Sequence, residues 1–267
     1  MQKQNAFSLV ELLAVIAILA ILAALILTGL DAAKKRGRQT QCMNNLRQLG
    51  LGLNQFTADF HAYPLAVTPS YLSAAYPEHS TAWSTALDVA EFSGKSPFGE
   101  NVTFDRGIWV CPSAHRPENF PAYIWSAGYG YNAYGIDDKT NVDLLGLGGQ
   151  RRSDLSANPL AWSDTTPPVR ESDVTNPSEM LAIADGFAGN NGIIKDAVWA
   201  TLRRPNIEDF LGSTKRAILR HNGKSDVVFC DGHFESPTLN LLFDETGDSA
   251  LSIWNRDHQP HRDRLGF

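Results

Sequence analysis

Four side chains near the end of the sequence could bind a metal ion if the fold brought them together. His221 and His233 flank a segment that also contains Asp226 and Asp231. Imidazole nitrogens and carboxylate oxygens are common ligands of zinc and related divalent metals. The two histidines lack the close spacing of a strong zinc motif, so the pattern favours structural hydrogen bonding. For Asp231 and Gly232 it predicts a turn, with the aspartate capping its own backbone and the glycine supplying a positive φ.

A second group of oxygen ligands occurs in a polar, glycine-rich segment. It contains Asp137, Asp138, Asn141 and Asp143. Carboxylate and amide oxygens suit Ca²⁺, but these residues do not follow the spacing of an EF-hand loop. The better interpretation is a solvated acidic loop, and we expect no bound metal or cofactor, with a structural Ca²⁺ as the weaker alternative.

Other candidate catalytic residues lack the context that a known mechanism requires. The glycine-rich residues 145–149 are not followed by the Lys-Ser/Thr pair of a phosphate-binding loop. Ser163 and Ser213 lie outside the Gly-x-Ser-x-Gly pattern of serine hydrolases. We therefore expect a protein that is not an enzyme.

The chain has three cysteines, Cys42, Cys111 and Cys230. They are too few and too scattered for a zinc cluster. In an oxidising compartment one disulfide could form, with three candidate pairings and one thiol left over. The sequence does not choose between these pairings.

Length and charge limit the protein class. The 267 residues, 43% of them hydrophobic, suffice for one sizeable core, or for one domain with an appendage. Residues 1–60 carry a net charge of +3 and the remainder a net charge of −9. Because nucleic-acid binding normally needs a basic face, we expect no nucleic-acid partner.

The opening of the chain contains an apolar segment with one acid at its start. Leu12–Leu30 has no charged residue and, as a helix, would cross roughly the 30 Å of a hydrocarbon layer. It is longer than the ~7–15 apolar residues of a cleaved secretory signal. Placing Glu11 at the membrane edge costs about 1–3 kcal/mol, which a neighbouring subunit's N-terminal amine could offset. We expect a transmembrane segment at about residues 9–30.

The short polar residues 1–6, followed by "FSLVELL" from Phe7, closely resemble the class III signal of type IV prepilins and type II secretion pseudopilins. The resemblance implies a leader of residues 1–6. It also implies that a prepilin peptidase cuts between Ala6 and Phe7 and methylates the new amine. Glu11 then becomes the fifth mature residue and pairs with that amine across subunits. The family usually has glycine where this chain has Ala6.

The same resemblance implies partners and a location. The partners are other pseudopilin subunits, an inner-membrane assembly platform and membrane lipid. The protein would be a single-pass inner-membrane protein with its C-terminal domain outside the cytoplasm. The positive-inside rule alone would favour the opposite orientation, because Lys34, Lys35, Arg36 and Arg38 follow the apolar segment.

The apolar segment should be part of one long helix that covers residues 7–62. No proline occurs before Pro64, and an apolar stripe of helical spacing extends beyond the membrane segment, with Asn45 among the polar residues on other faces. We expect this stripe to pack on the globular head, with a coiled-coil partner as the alternative. Gly50 and Gly52 are positions where the helix could bend. The stripe consists of Cys42, Leu46, Leu49, Leu53, Phe56 and Phe60.

Residues 63–267 are predicted to form one mixed domain, with residues 244–267 at its periphery. The expected fold is α+β and pilin-like, a long N-terminal helix packed on a small antiparallel sheet. The predicted helix covers residues 81–92. Strands are predicted at residues 107–111, as a strand-turn-strand at 126–136, at 180–185, and as a meander of 217–221, 226–230 and 233–236, with a turn at Asn222 and Gly223.

His221 and the pair Asp231 and Gly232 stand in an H-x9-DG arrangement. This arrangement, the stretch Cys42–Pro64 and the sequence "VCPSAHRP" resemble a bacterial group of pseudopilin-like proteins. The resemblance implies a structural subunit of a filament of the type II secretion or type IV pilus kind. The alternative is a membrane-anchored extracytoplasmic domain that binds a ligand or a glycan through its six tryptophans and the His/Asp hairpin.

Overall fold

The longest element is α1, a helix that runs from Leu9 to Phe60. At 1.5 Å per residue its length is about 78 Å. No proline occurs within it, His61 directly after it has a φ of 53°, and Pro64 prevents its continuation. The computed structural model describes residues 9–65, 83–88, 92, 107–114, 129–133, 135–136, 145–149, 168–185, 221–242 and 246–265.

Within the described residues, four antiparallel strands form one sheet, in which they lie in chain order. The strands are β1 (Tyr129–Tyr131), β2 (Leu181–Asp185), β3 (Val227–Phe229) and β4 (Phe234–Glu235). The short helices are α2 (Trp83–Leu87), α3 (Leu239–Leu242) and α4 (Asp248–Ser252), and 3₁₀ turns occupy Gly107–Trp109, Glu171–Asp173 and Arg262–Leu265. One long helix and a small antiparallel sheet make an α+β, pilin-like arrangement, as the sequence predicted.

The second half of α1 packs on the sheet through the predicted stripe. The stripe residues from Cys42 to Phe56 are completely buried, whereas Phe60 at the helix end is 38% exposed. They form one core cluster with Tyr129, Tyr131 and Val228. Each fully buried Leu or Phe contributes roughly 1.5–3 kcal/mol. The head, rather than a coiled-coil partner, therefore covers this face of the helix.

The opposite face of the sheet is covered by the C-terminal segment. Because side chains alternate along a strand, Val227 and Phe229 point away from α1. They join a second cluster with Leu251 and Trp254, whose indole donates a hydrogen bond to the Leu242 carbonyl at 3.1 Å. The prediction that residues 244–267 are peripheral was wrong. This segment is held by a few apolar residues in and beside short helices. Helices this short contain too few apolar residues to show a clear helical periodicity in the sequence.

The predicted strand at residues 107–111 was also wrong. The chain forms a 3₁₀ turn there, and Gly107 has a φ of 66°. The Asn45 amide of α1 donates hydrogen bonds to the carbonyls of Gly107 and Val110, at 3.3 and 2.9 Å. A helix side chain thus satisfies carbonyls that a strand neighbour would otherwise bind. Asn45 is only 6% exposed, so its expected outward orientation was wrong as well.

The other strand predictions are confirmed in part. At 180–185, 226–230 and 233–236 they contain β2, β3 and β4. Of the strand-turn-strand predicted at 126–136, the described residues 129–133 and 135–136 contain one strand, β1. The chain then turns at Gly135, whose amide donates to the Asn132 side chain at 3.1 Å. Residues 217–220 of the predicted meander lie outside the described residues. The described strands that pair with β3 are β2 on one side and β4 on the other. The expected turn at residues 222–223 is confirmed by positive φ angles of 56° and 77°.

Two glycines allow α1 and the sheet to approach closely. A Cβ added to Gly50 would lie 2.7 Å from Cγ1 of Val228. This glycine therefore lets β3 pack close to the helix backbone, besides being a position where the helix could bend. Gly232, in the β3–β4 turn, has a φ of 84°, and an added Cβ would lie 2.2 Å from Nδ2 of Asn54. That amide donates a hydrogen bond to the Asp231 carbonyl at 3.0 Å.

We predict that Gly232→Ala destabilises the head more than Gly223→Ala does. Both glycines have a positive φ, which costs an alanine about 1–2 kcal/mol. Only at Gly232 would the new methyl group displace Asn54, since nothing lies within 4 Å of a Cβ at Gly223. Losing the hydrogen bond from Asn54 adds about 0.5–1.5 kcal/mol.

Urea unfolding of the full-length protein in detergent, followed by tryptophan fluorescence, measures both losses. Equal losses for the two variants would show that the close approach of α1 to the turn does not contribute.

Candidate functional site

The first half of α1 exposes a continuous apolar surface. Leu9 is 77% exposed, Ile21 62% and Leu30 43%. None of the most apolar window of this helix is buried against the described head, and the helix is long and apolar enough to cross a membrane. An apolar surface of this size normally marks a membrane or protein contact. Its position and composition are consistent with a membrane-anchored protein.

Glu11 lies in the first turn of α1 and is the only charged residue between Leu9 and Leu30. A negative charge there interacts favourably with the N-terminal end of the helix dipole. The predicted cleavage and methylation residues, Ala6 and Phe7, lie outside the described residues.

A disulfide joins the long helix to the head. It connects Cys42, in the buried stripe of α1, to Cys111, two residues after the 3₁₀ turn, with a sequence separation of 69 and a Cα–Cα distance of 4.8 Å. The structure thus selects one of the three pairings and leaves Cys230 as the free cysteine. A bond at this position ties the head to the first buried turn of the helix.

Cys230 lies in an environment that suppresses its reactivity. Burial raises the pKa of its thiol well above the ordinary value, and the nearby charge of Asp231 adds to this, while a hydrogen bond with Tyr63 opposes it. Burial likewise raises the pKa of Tyr63. Because the thiolate is the reactive form, Cys230 is a core residue rather than a nucleophile.

The structure separates the four predicted metal ligands into two pairs. His221 is buried, with Nε2 3.3 Å from Oδ2 of Asp185 and 3.9 Å from Oδ2 of Asp226. His233 and Asp231 lie together in the half-exposed β3–β4 turn, where His233 Nδ1 is 2.6 Å from Asp231 Oδ1. Sequence reasoning missed Asp185. The sequence feature that could have indicated it is the single acidic residue at the end of the otherwise apolar strand β2.

The turn at Asp231 and Gly232 has the predicted geometry. Asp231 Oδ1 accepts a hydrogen bond from the His233 amide at 3.0 Å, and Gly232 has a φ of 84°. At the other end of the H-x9-DG arrangement, His221 Nε2 lies 3.4 Å from the Cys111 sulfur. The two ends of the arrangement therefore lie beside two of the contacts between α1 and the head, the Asn54 hydrogen bond and the disulfide.

The acidic residues Asp137, Asp138 and Asp143 lie outside the described residues, so the structure does not test the predicted solvated loop or its Ca²⁺ alternative. The neighbouring glycine-rich residues 145–149 are buried and bound through their backbone. The Leu147 amide donates to the Asn132 carbonyl at 2.8 Å.

Comparison with known families identifies two regions of the chain. A family model described as "Protein of unknown function (DUF1559)" matches residues 31–240. A second, described as "Prokaryotic N-terminal methylation motif", matches residues 1–27. The pair is typical of type IV prepilin-like proteins, which confirms the resemblance and points to a structural rather than an enzymatic protein. The assignment of the H-x9-DG element stays a prediction. No curated protein and no solved structure matched the chain.

We predict that loss of the disulfide destabilises the head by about 2–4 kcal/mol, because reduction releases a long loop in the unfolded chain. Cys42→Ser and Cys111→Ser should each lower the urea midpoint of the oxidised full-length protein. The double variant should lower it no further than the stronger single variant.

The matched control is Cys230→Ser, which leaves the bond intact. Reducing agent should lower the midpoint of this control and leave the double variant unchanged. A midpoint of the wild-type protein that reducing agent does not alter would contradict the pairing.

Proposed function

The chain belongs to the DUF1559 family and carries a prokaryotic N-terminal methylation motif, and we propose that it is a structural subunit of a filament of the type II secretion or type IV pilus kind. One observation supports this most directly. The apolar half of α1 is uncovered, with Glu11 as its single charge, while the other half of the same helix holds the head. A plain membrane anchor has no need of an acid at this position.

Processing precedes assembly in this proposal. The methylation motif implies a prepilin peptidase and other pilin subunits as partners. Cleavage between Ala6 and Phe7 removes the polar leader and creates an amine four residues before Glu11. Methylation leaves that amine able to carry a positive charge. The mature helix then begins with a cation and an acid close together.

Subunits assemble by exchanging lipid contacts for contacts with neighbouring helices. Packing the apolar half of α1 among its copies preserves its apolar surroundings when it leaves the bilayer. Inside such a bundle an uncompensated Glu11 would cost several kcal/mol. Pairing of Glu11 with the Phe7 amine of the neighbouring subunit removes this cost only at one axial stagger. The pair therefore sets the register of the filament.

Before assembly, the protein is a single-pass inner-membrane protein with its head outside the cytoplasm. The Cys42–Cys111 disulfide supports this orientation, since disulfides persist in oxidising compartments. Lys34, Lys35 and Arg36 then lie just beyond the membrane segment, in reach of lipid headgroups. A large translocated domain can override the local charge bias of such residues.

The alternative of a ligand- or glycan-binding ectodomain loses part of its support. Trp83, Trp109 and Trp254 are core residues, between 1% and 6% exposed. The other three tryptophans lie outside the described residues. The half-exposed His233 and Asp231 are engaged with each other in a turn.

The first test is the N-terminus of the protein purified from cells that contain the native peptidase. We expect peptide mapping by mass spectrometry to find a mature chain that begins at N-methylated Phe7. The matched variant Ala6→Gly restores the residue that the family usually has and should be processed at least as completely. A chain that still begins at Met1 in both proteins, or that is cut after the apolar segment, would contradict the proposal.

The second test addresses Glu11. We predict that Glu11→Leu leaves membrane insertion unchanged and abolishes filaments, because the substitution removes the charge pair but not the apolar helix. Cell fractionation measures insertion, and electron microscopy of sheared filaments measures assembly.

Asp31→Asn is the matched control, since it removes the next acid along the same helix and should assemble normally. Normal filaments from Glu11→Leu would refute the pairing.

A further inference from the structure

A cluster of three buried ionisable side chains occupies one end of the sheet. Asp185 is the last residue of β2, and Asp226 immediately precedes β3. The two are held together by backbone contacts: the Asp226 amide donates to Asp185 Oδ2 at 2.9 Å, and the Asp185 amide donates to the Asp226 carbonyl at 3.0 Å. His221 reaches the same place from the preceding turn. Their side chains are completely excluded from solvent.

Part of this cluster lacks hydrogen bonds that buried polar atoms normally have. Among the described residues, Asp185 Oδ1 and His221 Nδ1 have no hydrogen-bond partner. In the described part of the chain, Asp185 forms its ion pair with His221. Burying a carboxylate in a dry interior is unfavourable unless a proton, a cation or a metal ion compensates its charge. One imidazole can carry at most one positive charge, and two carboxylates lie beside it, so the described part of the cluster favours a positively charged ligand.

We propose that Asp185, His221 and Asp226 bind one divalent transition-metal ion, with Zn²⁺ as the best match. A tetrahedral Zn²⁺ ion with ligand bonds of about 2.0–2.2 Å holds its ligand atoms roughly 3.3–3.6 Å apart. His221 Nε2 lies 3.3 and 3.9 Å from the Oδ2 atoms of Asp185 and Asp226, and the three atoms lie within 4.8 Å of one another.

Surrounding contacts orient the two proposed carboxylate ligands. Asp226 Oδ1 accepts a hydrogen bond from the Ser236 hydroxyl at 2.5 Å, and Asp185 Oδ2 accepts one from the Asp226 amide. Such outer contacts are typical of carboxylates that bind metals. Bidentate binding by Asp185 would also satisfy its Oδ1 atom. One imidazole nitrogen and carboxylate oxygens suit Zn²⁺ better than the oxygen-only set that Ca²⁺ prefers.

The neighbouring disulfide limits the alternatives. The Cys111 sulfur lies 3.4 Å from His221 Nε2, and Cys42, Cys111 and His221 could also form a ligand group. In the oxidised protein both sulfurs are engaged in the disulfide and cannot be thiolate ligands. The proposed ion would join the end of β2, the start of β3 and the His221 turn beside the attachment of α1.

The experiment uses the oxidised full-length protein in detergent, freed of metal with a chelator and titrated with Zn²⁺ against a competing chelator. We expect one Zn²⁺ per chain and a rise in the unfolding temperature, because an ion that binds the folded state stabilises it. His221→Gln and Asp226→Asn should weaken binding by at least about 100-fold, more than the loss of an outer contact does. The control His233→Gln removes the half-exposed histidine and should bind like the wild type.

Co²⁺ provides a readout that does not depend on variants that fold. Co²⁺ added to the oxidised wild-type protein should give the visible bands of a tetrahedral site without thiolate charge-transfer bands. Three results would overturn the proposal. They are a wild-type protein that binds well under one Zn²⁺, binding that His233→Gln abolishes but His221→Gln does not, and Co²⁺ binding only after reduction with sulfur charge-transfer bands.

Discussion

A single helix has to satisfy two different environments, and the rest of the structure depends on how it does so. The first half of α1 presents apolar side chains on all sides, as a bilayer or a helix bundle requires. The second half presents one apolar stripe, from Cys42 to Phe56, to a sheet. Because the first half of α1 leaves its apolar side chains exposed, the described contacts between helix and head come from the second half. The second half of α1 therefore packs closely on the sheet.

Small and polar residues supplement the apolar stripe. Gly50 lets Val228 approach the helix axis, and Gly232 lets the β3–β4 turn reach Asn54. Asn45 satisfies carbonyls of the 3₁₀ turn that leads to Cys111. These contacts come from segments with little regular structure, whose backbone groups would otherwise need partners when buried. The helix thus organises the head as well as anchoring it.

A firm connection between helix and head suits a filament subunit. If neighbouring copies of α1 set the axial register through Glu11, the disulfide at Cys42 and the buried stripe transmit that register to the head. The sheet is covered on its second face by Trp254 and its neighbours, so the head has its own core and does not depend on α1 alone. In the proposed filament, assembly and folding of the head would therefore involve different surfaces of the same chain.

The sequence by itself determined the features that local patterns encode. Helical spacing identified the stripe, alternation and apolar runs located β2, β3 and β4, and the types of Asp231 and Gly232 predicted a turn. The tertiary structure decided which cysteines pair, that Asp185 meets His221, and that the C-terminal segment covers the sheet. The physical reason is that helical spacing, strand alternation and turn preference each depend on a few neighbouring residues. Pairing instead depends on distances between segments far apart in the chain, which only the packed fold sets.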